Sequence, residues 1–510
     1  MALSKVVGLS RVVSALKPGF SSGRTVDRTM VLVFLTATVV ALLTGMLIGI
    51  GGGIVLTLLV VAFAGLVLAI SNYRIGVWLL VLLLPFSATQ LLPRQMFGVT
   101  GLSPFNILFV CTVATMIMAR LFSKKNSIEF PVVPRILWIY AGAFLATTFY
   151  GALFAHKGIA SLLIGDADGP LTAKAYLQVV LIKPVLILAV GYIVSAFAKT
   201  GKGAMGVFWS IVSALLIMLA VVITAIALSG FSLTALSASN ARGFLSWTGL
   251  HANQVGLFFT MGFSLLLFSS QGDERKLRAF VLFCLACATA VGAALTFSRA
   301  TFLGLILVGG YFLISRRKIG TALISLIVVI FLAFALPDAF FERATTGITH
   351  GNSDALSAGR INHIWLPMLP EVLNSPLIGH GQRFVIWSPQ MLRGDILTFV
   401  GHVHSAYLET LLDMGLAGLI IVGLTFRFMW KAFRELKDKH PVGLWRGYFE
   451  GASICIPILL VLGLTGEEFV PAIPQAFLWI SLGLALGFRE AIKDSVVAIT
   501  EKHMQKGRIK

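Results

Sequence analysis

Three residues that lie at or inside apolar segments are the best placed for chemistry. His404 stands where a long connection re-enters an apolar segment. A helix start disfavours added positive charge, so the His404 imidazole is predicted to be neutral and able to act as a base. Lys183 lies inside an apolar segment and Arg299 between two of them, where a charge is costly and is a functional candidate. Together they predict a cationic pocket with one base.

An oligoanion attached to a lipid would suit such a pocket. Several arginines can hold a diphosphate through paired hydrogen bonds and stabilise it as a leaving group without a metal. Simpler interpretations stay open. Lys183 and Arg299 could extend to lipid headgroups, and His404, or more readily His402, could serve as an interfacial helix cap. Tyr407 and Glu409 follow within the next turns and are accessory candidates.

The elements that position these residues must be membrane helices. Of the 510 residues, 57% are hydrophobic and 12% are charged, and the mean hydropathy is +0.93. Soluble proteins carry about 25% charged residues, so the composition predicts an integral membrane protein. The net charge of +19 does not indicate nucleic-acid binding, because apolar runs separate the basic clusters and no continuous basic face results.

The apolar runs predict an all-α polytopic membrane protein of about 12–14 transmembrane helices, since about 20 apolar residues cross the hydrocarbon layer. The fourteen candidate spans are 31–49, 54–70, 75–92, 104–122, 136–154, 176–198, 205–228, 252–270, 279–297, 300–315, 319–336, 405–430, 453–465 and 473–488. The predicted organisation is a basic interfacial segment (1–30), an N-terminal bundle (31–336), an outer loop (337–404), C-terminal helices (405–488) and a basic tail (489–510).

The basic residues set the predicted orientation. With the N-terminus in the cytosol, thirty of the 40 Lys and Arg residues fall on the inner side and nine on the outer side, which is the bias expected of cytoplasmic loops. Both termini are therefore predicted to be cytosolic. Lys183 and Arg299 lie 16 and 17 residues from the inner edges of their helices, about 24–25 Å. They are predicted to share a depth just below the outer surface.

At these residues the chain resembles the O-antigen ligase and O-antigen polymerase superfamily of bacterial membrane glycosyltransferases. The resemblance covers roughly residues 240–425. Four motifs carry it, in this order: Arg242-Gly-Phe with His251-Ala-Asn253; Phe297-Ser298-Arg299-Ala; Gly359-Arg360 with Trp365 and Pro376-Leu-Ile-Gly379-His-Gly381; and His404-Ser-x-Tyr407-Leu-x6-Gly415-x2-Gly418. His404-Ser405 and Ala252-Asn253 depart from the His-Asn and Pro-Asn that the family often shows.

The resemblance implies an enzyme of the bacterial inner membrane that joins a glycan from a polyprenyl-diphosphate carrier to a glycan or lipid-glycan acceptor at the periplasmic face. It implies that His404 is the base and that Arg242, Arg299 and Arg360 bind the diphosphate. Lys183 is a further candidate ligand, and Asn253 and His402 are accessory candidates. Neither a cofactor nor a metal is expected. Ligase and polymerase are nearly equal expectations.

Three other features were weighed against this interpretation. Asp166-Ala-Asp168 resembles a metal-binding DxD motif, but its glycine and proline neighbours indicate an ordinary turn. Cys284 and Cys287 have zinc-ligand spacing without a second pair, and are predicted to be small core residues. The rival function is a lipid-linked glycan flippase or anion transporter, which would favour repeated halves with interrupted helices at the midplane.

Overall fold

The computed structural model describes most of the chain after residue 71. The described residues are 72–87, 89–93, 95–96, 99–100, 103–122, 128–164, 171–230, 245, 249, 251–316, 357, 359–396, 401–440, 442–466 and 468–508. Several predictions lie outside them: the interfacial segment 1–30, the spans 31–49, 54–70 and 319–336, Arg242, and the Asp166-Ala-Asp168 motif.

Helices make up nearly all of the described chain, which confirms the all-α membrane fold. The long ones are α1 (Tyr73–Leu83), α2 (Pro104–Phe122), α3 (Arg135–Phe154), α4 (Ala173–Phe197), α5 (Gly201–Ser229), α6 (Ala252–Gly272), α7 (Lys276–Ala294), α8 (Arg299–Arg316), α9 (Leu366–Asn374), α10 (Ala406–Lys439), α11 (Leu444–Leu462) and α12 (Ala476–Arg508). Two residue pairs, β1 (Gln95–Met96) and β2 (Val99–Thr100), form an antiparallel ladder.

Eight of these helices are long and apolar enough to cross a membrane, namely α2 to α7, α10 and α11. The number of spans in the whole chain stays a prediction. Three predicted spans lie in helices that extend beyond them: α10 continues to Lys439, α11 begins at Leu444 and α12 continues to Arg508. Helical hydrogen bonds do not require apolar side chains, so these helices extend through the charged residues that end the apolar runs.

The described residues fall into two compact units, and every candidate site residue that the structure describes belongs to the unit within 133–188 and 225–478. Helix α6 is the most buried helix of this unit and packs on α7, α8 and α11. Gly447 and Gly451 of α11 face the Phe268 and Ser264 backbone, where a larger side chain would collide. Such small residues four apart let membrane helices approach closely.

Helix α10 is broken at Gly415, whose φ of 64° and ψ of −168° are not helical. The segment 376–381 is hydrogen-bonded across this break: His380 N–H donates to the Leu412 carbonyl at 2.7 Å, and Leu416 N–H donates to the Pro376 carbonyl at 2.8 Å. Gly379 packs directly on the backbone of Asp413 and Met414, with no room for a side chain. The motif that contains Gly379 and the motif that contains Gly415 are therefore packed and hydrogen-bonded together.

The described part of the predicted outer loop shares a hydrophobic core with the helices next to it. After a π-helical turn (Ile361–Trp365) come α9, a 3-10 turn (Phe384–Trp387) and a short helix (Pro389–Arg393). Their apolar side chains pack with those around α3 and α4, and the Trp387 ring meets the Tyr176 ring edge-on at 5.7 Å. The segment that leads to His404 therefore packs against this folded part of the loop.

Candidate functional site

His404 lies just before α10 and is held by the neighbouring His402. Its backbone has a φ of 56°, which few residues other than glycine adopt. The His404 N–H donates to His402 Nδ1 at 3.3 Å, and the two ring centroids are 4.0 Å apart. Ser405 then caps α10 by accepting the Leu408 N–H. Because His402 Nδ1 accepts a hydrogen bond, it carries no proton, so a neutral His402 has its proton on Nε2.

The surroundings of His402 also favour the neutral form. Burial, and then the charges of Arg383, Arg360 and His251, lower the pKa of His402 to about 3. A neutral imidazole beside His404 adds no positive charge to a candidate base. The accessory position expected for His402 therefore has a definite geometry, while its role stays a prediction.

Arg360 approaches the same place from the outer loop. It immediately precedes the π-helical turn and is half-buried, and its guanidinium donates to the Thr465 carbonyl after α11. In the same connection after α11, the Gly463 carbonyl accepts the Ala406 N–H at 2.8 Å. The loop from α11 therefore contacts both Arg360 and the start of α10.

A hydrogen bond joins the motif of Asn253 to the motif of Arg299. Ser298 Oγ donates to Asn253 Oδ1 at 2.8 Å and lies near the Thr301 N–H at the start of α8. Arg299 is the first residue of α8 and is half-buried. His251, which caps α6 two residues before Asn253, is the same histidine whose charge acts on His402. The starts of α6, α8 and α10 thus lie at one end of this unit.

Lys183 is exposed on α4, directly after a π-helical turn at 178–182. Pro184 has no N–H to donate within the helix, and a wide turn of this kind accommodates that loss without ending α4. The helix is therefore continuous at Pro184. Diphosphate binding by Lys183 stays a prediction, as does binding by Arg242.

Tyr407 and Glu409 both have structural partners. The Tyr407 hydroxyl donates to the Leu460 carbonyl at 2.9 Å, which ties α10 to α11. Glu409 Oε1 accepts from Arg383 Nη1 at 3.1 Å, while its Oε2 is buried without a hydrogen-bond partner among the described residues.

Cys284 does not have the buried position that was expected of it. It is exposed and Cys287 is half-buried, both on α7. Leu277, Phe280 and Val281 are exposed on the same helix. This surface is apolar because a membrane helix presents such residues to lipid, so an apolar neighbourhood in the sequence did not distinguish a core position from a lipid-facing one.

Arg383 is the residue that the sequence interpretation missed. Besides Glu409, its guanidinium contacts Glu468 at 2.6 Å, and its backbone N–H donates to Asp413 Oδ2 at 2.9 Å. The sequence did contain an indication. Glu409 and Asp413 lie within an apolar helix, and buried acids require a cation, which one of the loop arginines had to supply.

Comparison with protein families supports the assignment of this region. Residues 280–423 match the O-antigen ligase family model. Over these residues the chain is similar to O-antigen ligases. This confirms the resemblance that the sequence motifs indicated. The matched O-antigen ligase domain includes Arg299, Arg360, His402 and His404, whereas Asn253 precedes it. No curated protein matches the chain.

Proposed function

We propose that this protein is a membrane glycosyltransferase that transfers a glycan from a polyprenyl-diphosphate carrier to an acceptor hydroxyl at the periplasmic face. The O-antigen ligase domain supports a glycosyltransferase-like enzyme in a bacterial membrane. The observation that carries the proposal is the arrangement at the start of α10, where His404 lies beside a neutral His402 with Arg360 and His251 close by.

In this proposal His404 is the general base. Its unprotonated ring nitrogen takes the proton of the acceptor hydroxyl, and the hydroxyl oxygen attacks the anomeric carbon. The bond from that carbon to the diphosphate oxygen breaks on the opposite side, and its electron pair leaves with the diphosphate. The product is a new glycosidic bond with inverted configuration. In this proposal arginines stabilise the leaving diphosphate, which is the role that a metal would otherwise have.

The arginines act on the leaving group. Negative charge grows on the diphosphate as the bond breaks, and guanidinium groups already in place stabilise that charge without reorganising. Arg299 and Arg360 fit this role, because both are half-buried at the end of the unit where His404 lies. Arg242 and Lys183 are proposed as further ligands of the diphosphate. Apolar helix surfaces accommodate the prenyl chain.

Replacement of His404 tests the chemistry. In a strain that lacks the gene, His404→Ala is expected to restore the protein but no glycan product, with lipid-linked donor accumulating on the periplasmic side. His156→Ala is a matched control, since His156 is an exposed histidine in the connection after α3, and it should restore full product. Wild-type product from His404→Ala would refute the base assignment.

The same strain separates the remaining alternatives. Long unattached glycan in the deletion strain indicates a ligase, whereas single repeats indicate a polymerase. Donor that accumulates on the cytosolic side would instead indicate a flippase, and would contradict the proposal.

A further inference from the structure

Arg383 holds together three parts of the chain that surround the candidate base. Its Nη1 lies 3.1 Å from Glu409 of α10 and donates to the Gly401 carbonyl at 3.4 Å. Its Nη2 lies 2.6 Å from Glu468, in the connection from α11 to α12. Both guanidinium ends are thus hydrogen-bonded to protein groups.

The backbone of Arg383 is fixed as well. Its φ of 63° is left-handed, and the N–H groups of Arg383 and Phe384 donate to the two oxygens of Asp413 at 2.9 and 3.1 Å. A carboxylate that accepts two backbone N–H groups holds a turn firmly. The side chain of Arg383 is largely buried, with 21% exposure, between Glu409 at 10% and Glu468 at 23%.

Gly401 immediately precedes His402, so the hydrogen bond from Arg383 to the Gly401 carbonyl fixes the short segment that carries His402 and His404. Trp365 holds the same segment as well, since its Nε1 donates to the Val403 carbonyl at 2.9 Å. The three residues 401–403 are therefore anchored before the chain turns through the left-handed His404 into α10. A displacement of this segment would move the His404 ring directly.

We propose that Arg383 is a positioning residue, which with Glu409 and Glu468 fixes the segment 401–404 for proton transfer and does not bind the diphosphate. This inference rests on the proposed glycosyl transfer. The N–H donors of Arg383 are committed to two carboxylates and a carbonyl, which leaves few of them for an anionic substrate. The hydrogen bonds to the diphosphate come from Arg299 and Arg360 instead.

Arg383 has a second effect, on the protonation of His402. The groups that face His402 are Arg383, Arg360, His251 and the adjacent His404 ring. Removal of one cation from this set makes protonation of His402 easier. A protonated His402 adds positive charge beside His404 and weakens it as a base, so loss of Arg383 shifts the acid limb of the pH–rate profile to higher pH.

The test separates substrate binding from transfer in the full-length protein. Binding is measured with a long-chain polyprenyl diphosphate, without glycan, on protein in lipid nanodiscs. Transfer is measured as the initial rate of product formation in membranes of the deletion strain that carries each variant. Arg383→Gln is expected to change polyprenyl-diphosphate affinity by less than about twofold and to lower transfer about 100-fold, as a displaced base does. Arg299→Gln should weaken that affinity about tenfold or more.

Arg393→Gln is the matched control. Arg393 belongs to the same loop but is exposed, and it pairs with Asp395 at 3.0 Å. It should leave both measurements unchanged. Arg383→Gln with wild-type transfer, or with an affinity loss equal to that of Arg299→Gln, would overturn the inference.

Two milder variants decide the matter if Arg383→Gln does not fold. Arg383→Lys keeps the charge but loses the planar fork, and Glu468→Gln removes one partner. Both are expected to lower transfer at unchanged polyprenyl-diphosphate affinity, and neither should shift the acid limb upward, because both keep the positive charge near His402. Unchanged transfer in both would refute the positioning role. Failure of the proposed function looks different, because His404→Ala would then retain product whatever Arg383 does.

Discussion

Replacement of Gly415 by alanine should destabilise the protein strongly, although it adds only one methyl group. The φ and ψ of Gly415 belong to a region that is essentially restricted to glycine, which costs other residues about 1–3 kcal/mol. The new Cβ would also overlap the Leu377 backbone. That overlap displaces the segment whose carbonyls accept the Leu416 and Ala417 N–H groups, each worth about 0.5–1.5 kcal/mol. The expected loss is about 2–6 kcal/mol in all.

Thermal unfolding of full-length protein in one detergent, followed by tryptophan fluorescence, measures this loss. Gly423→Ala is the internal control, because Gly423 lies on the same helix with nothing within 4 Å of an added Cβ. Alanine there should stabilise the helix by up to about 1 kcal/mol. The midpoint of Gly415→Ala should therefore fall by several degrees while that of Gly423→Ala stays or rises. Equal midpoints would refute the account of the break in α10.

Three further outcomes are expected. The pKa of His402 is about 3 in the folded protein and near 6.5 in the unfolded chain, so between these values only the unfolded chain binds a proton there. Thermal stability should therefore fall as the pH drops below about 6.5, and His402→Gln should flatten this dependence in melts from pH 4.5 to 7. Tyr407→Phe should lower the stability by about 0.5–1.5 kcal/mol yet retain product in the deletion strain; a folded variant without product would give Tyr407 a chemical role. Asn253→Ala and Ser298→Ala should each weaken polyprenyl-diphosphate affinity by moving Arg299, and the double variant should be no worse than either single one, whereas additive losses would contradict a shared hydrogen bond.

The sequence predicted the helices well, because their evidence is local. The run 104–122 coincides with α2, and the run from 252 begins where α6 begins. The end of α10 and the start of α11 lie outside the predicted spans, since hydropathy reports where an apolar run ends and not where a helix ends. Motif order likewise indicated the O-antigen ligase family without showing how the motifs touch.

The contacts of the site could not be read in the same way. Arg383, Glu409 and Glu468 are 26 and 59 residues apart in sequence, and their meeting depends on how two loops fold. Composition could not show which of the loop arginines pairs with the buried acids. His402 illustrates the same limit, because its tautomer follows from a single hydrogen bond to His404 that only coordinates reveal.

The backbone hydrogen bonds between segment 376–381 and α10 limit how this protein could be recombined with its homologues. Backbone groups of the loop pair with backbone groups at the break in the helix, and Arg383 lies two residues after this segment. A chimera that grafts a foreign loop onto this α10 keeps these hydrogen bonds only if the foreign backbone follows the same path. Exchange of residues 359–417 as a single cassette keeps them intact, so such a chimera is expected to fold more readily than one that exchanges the loop alone.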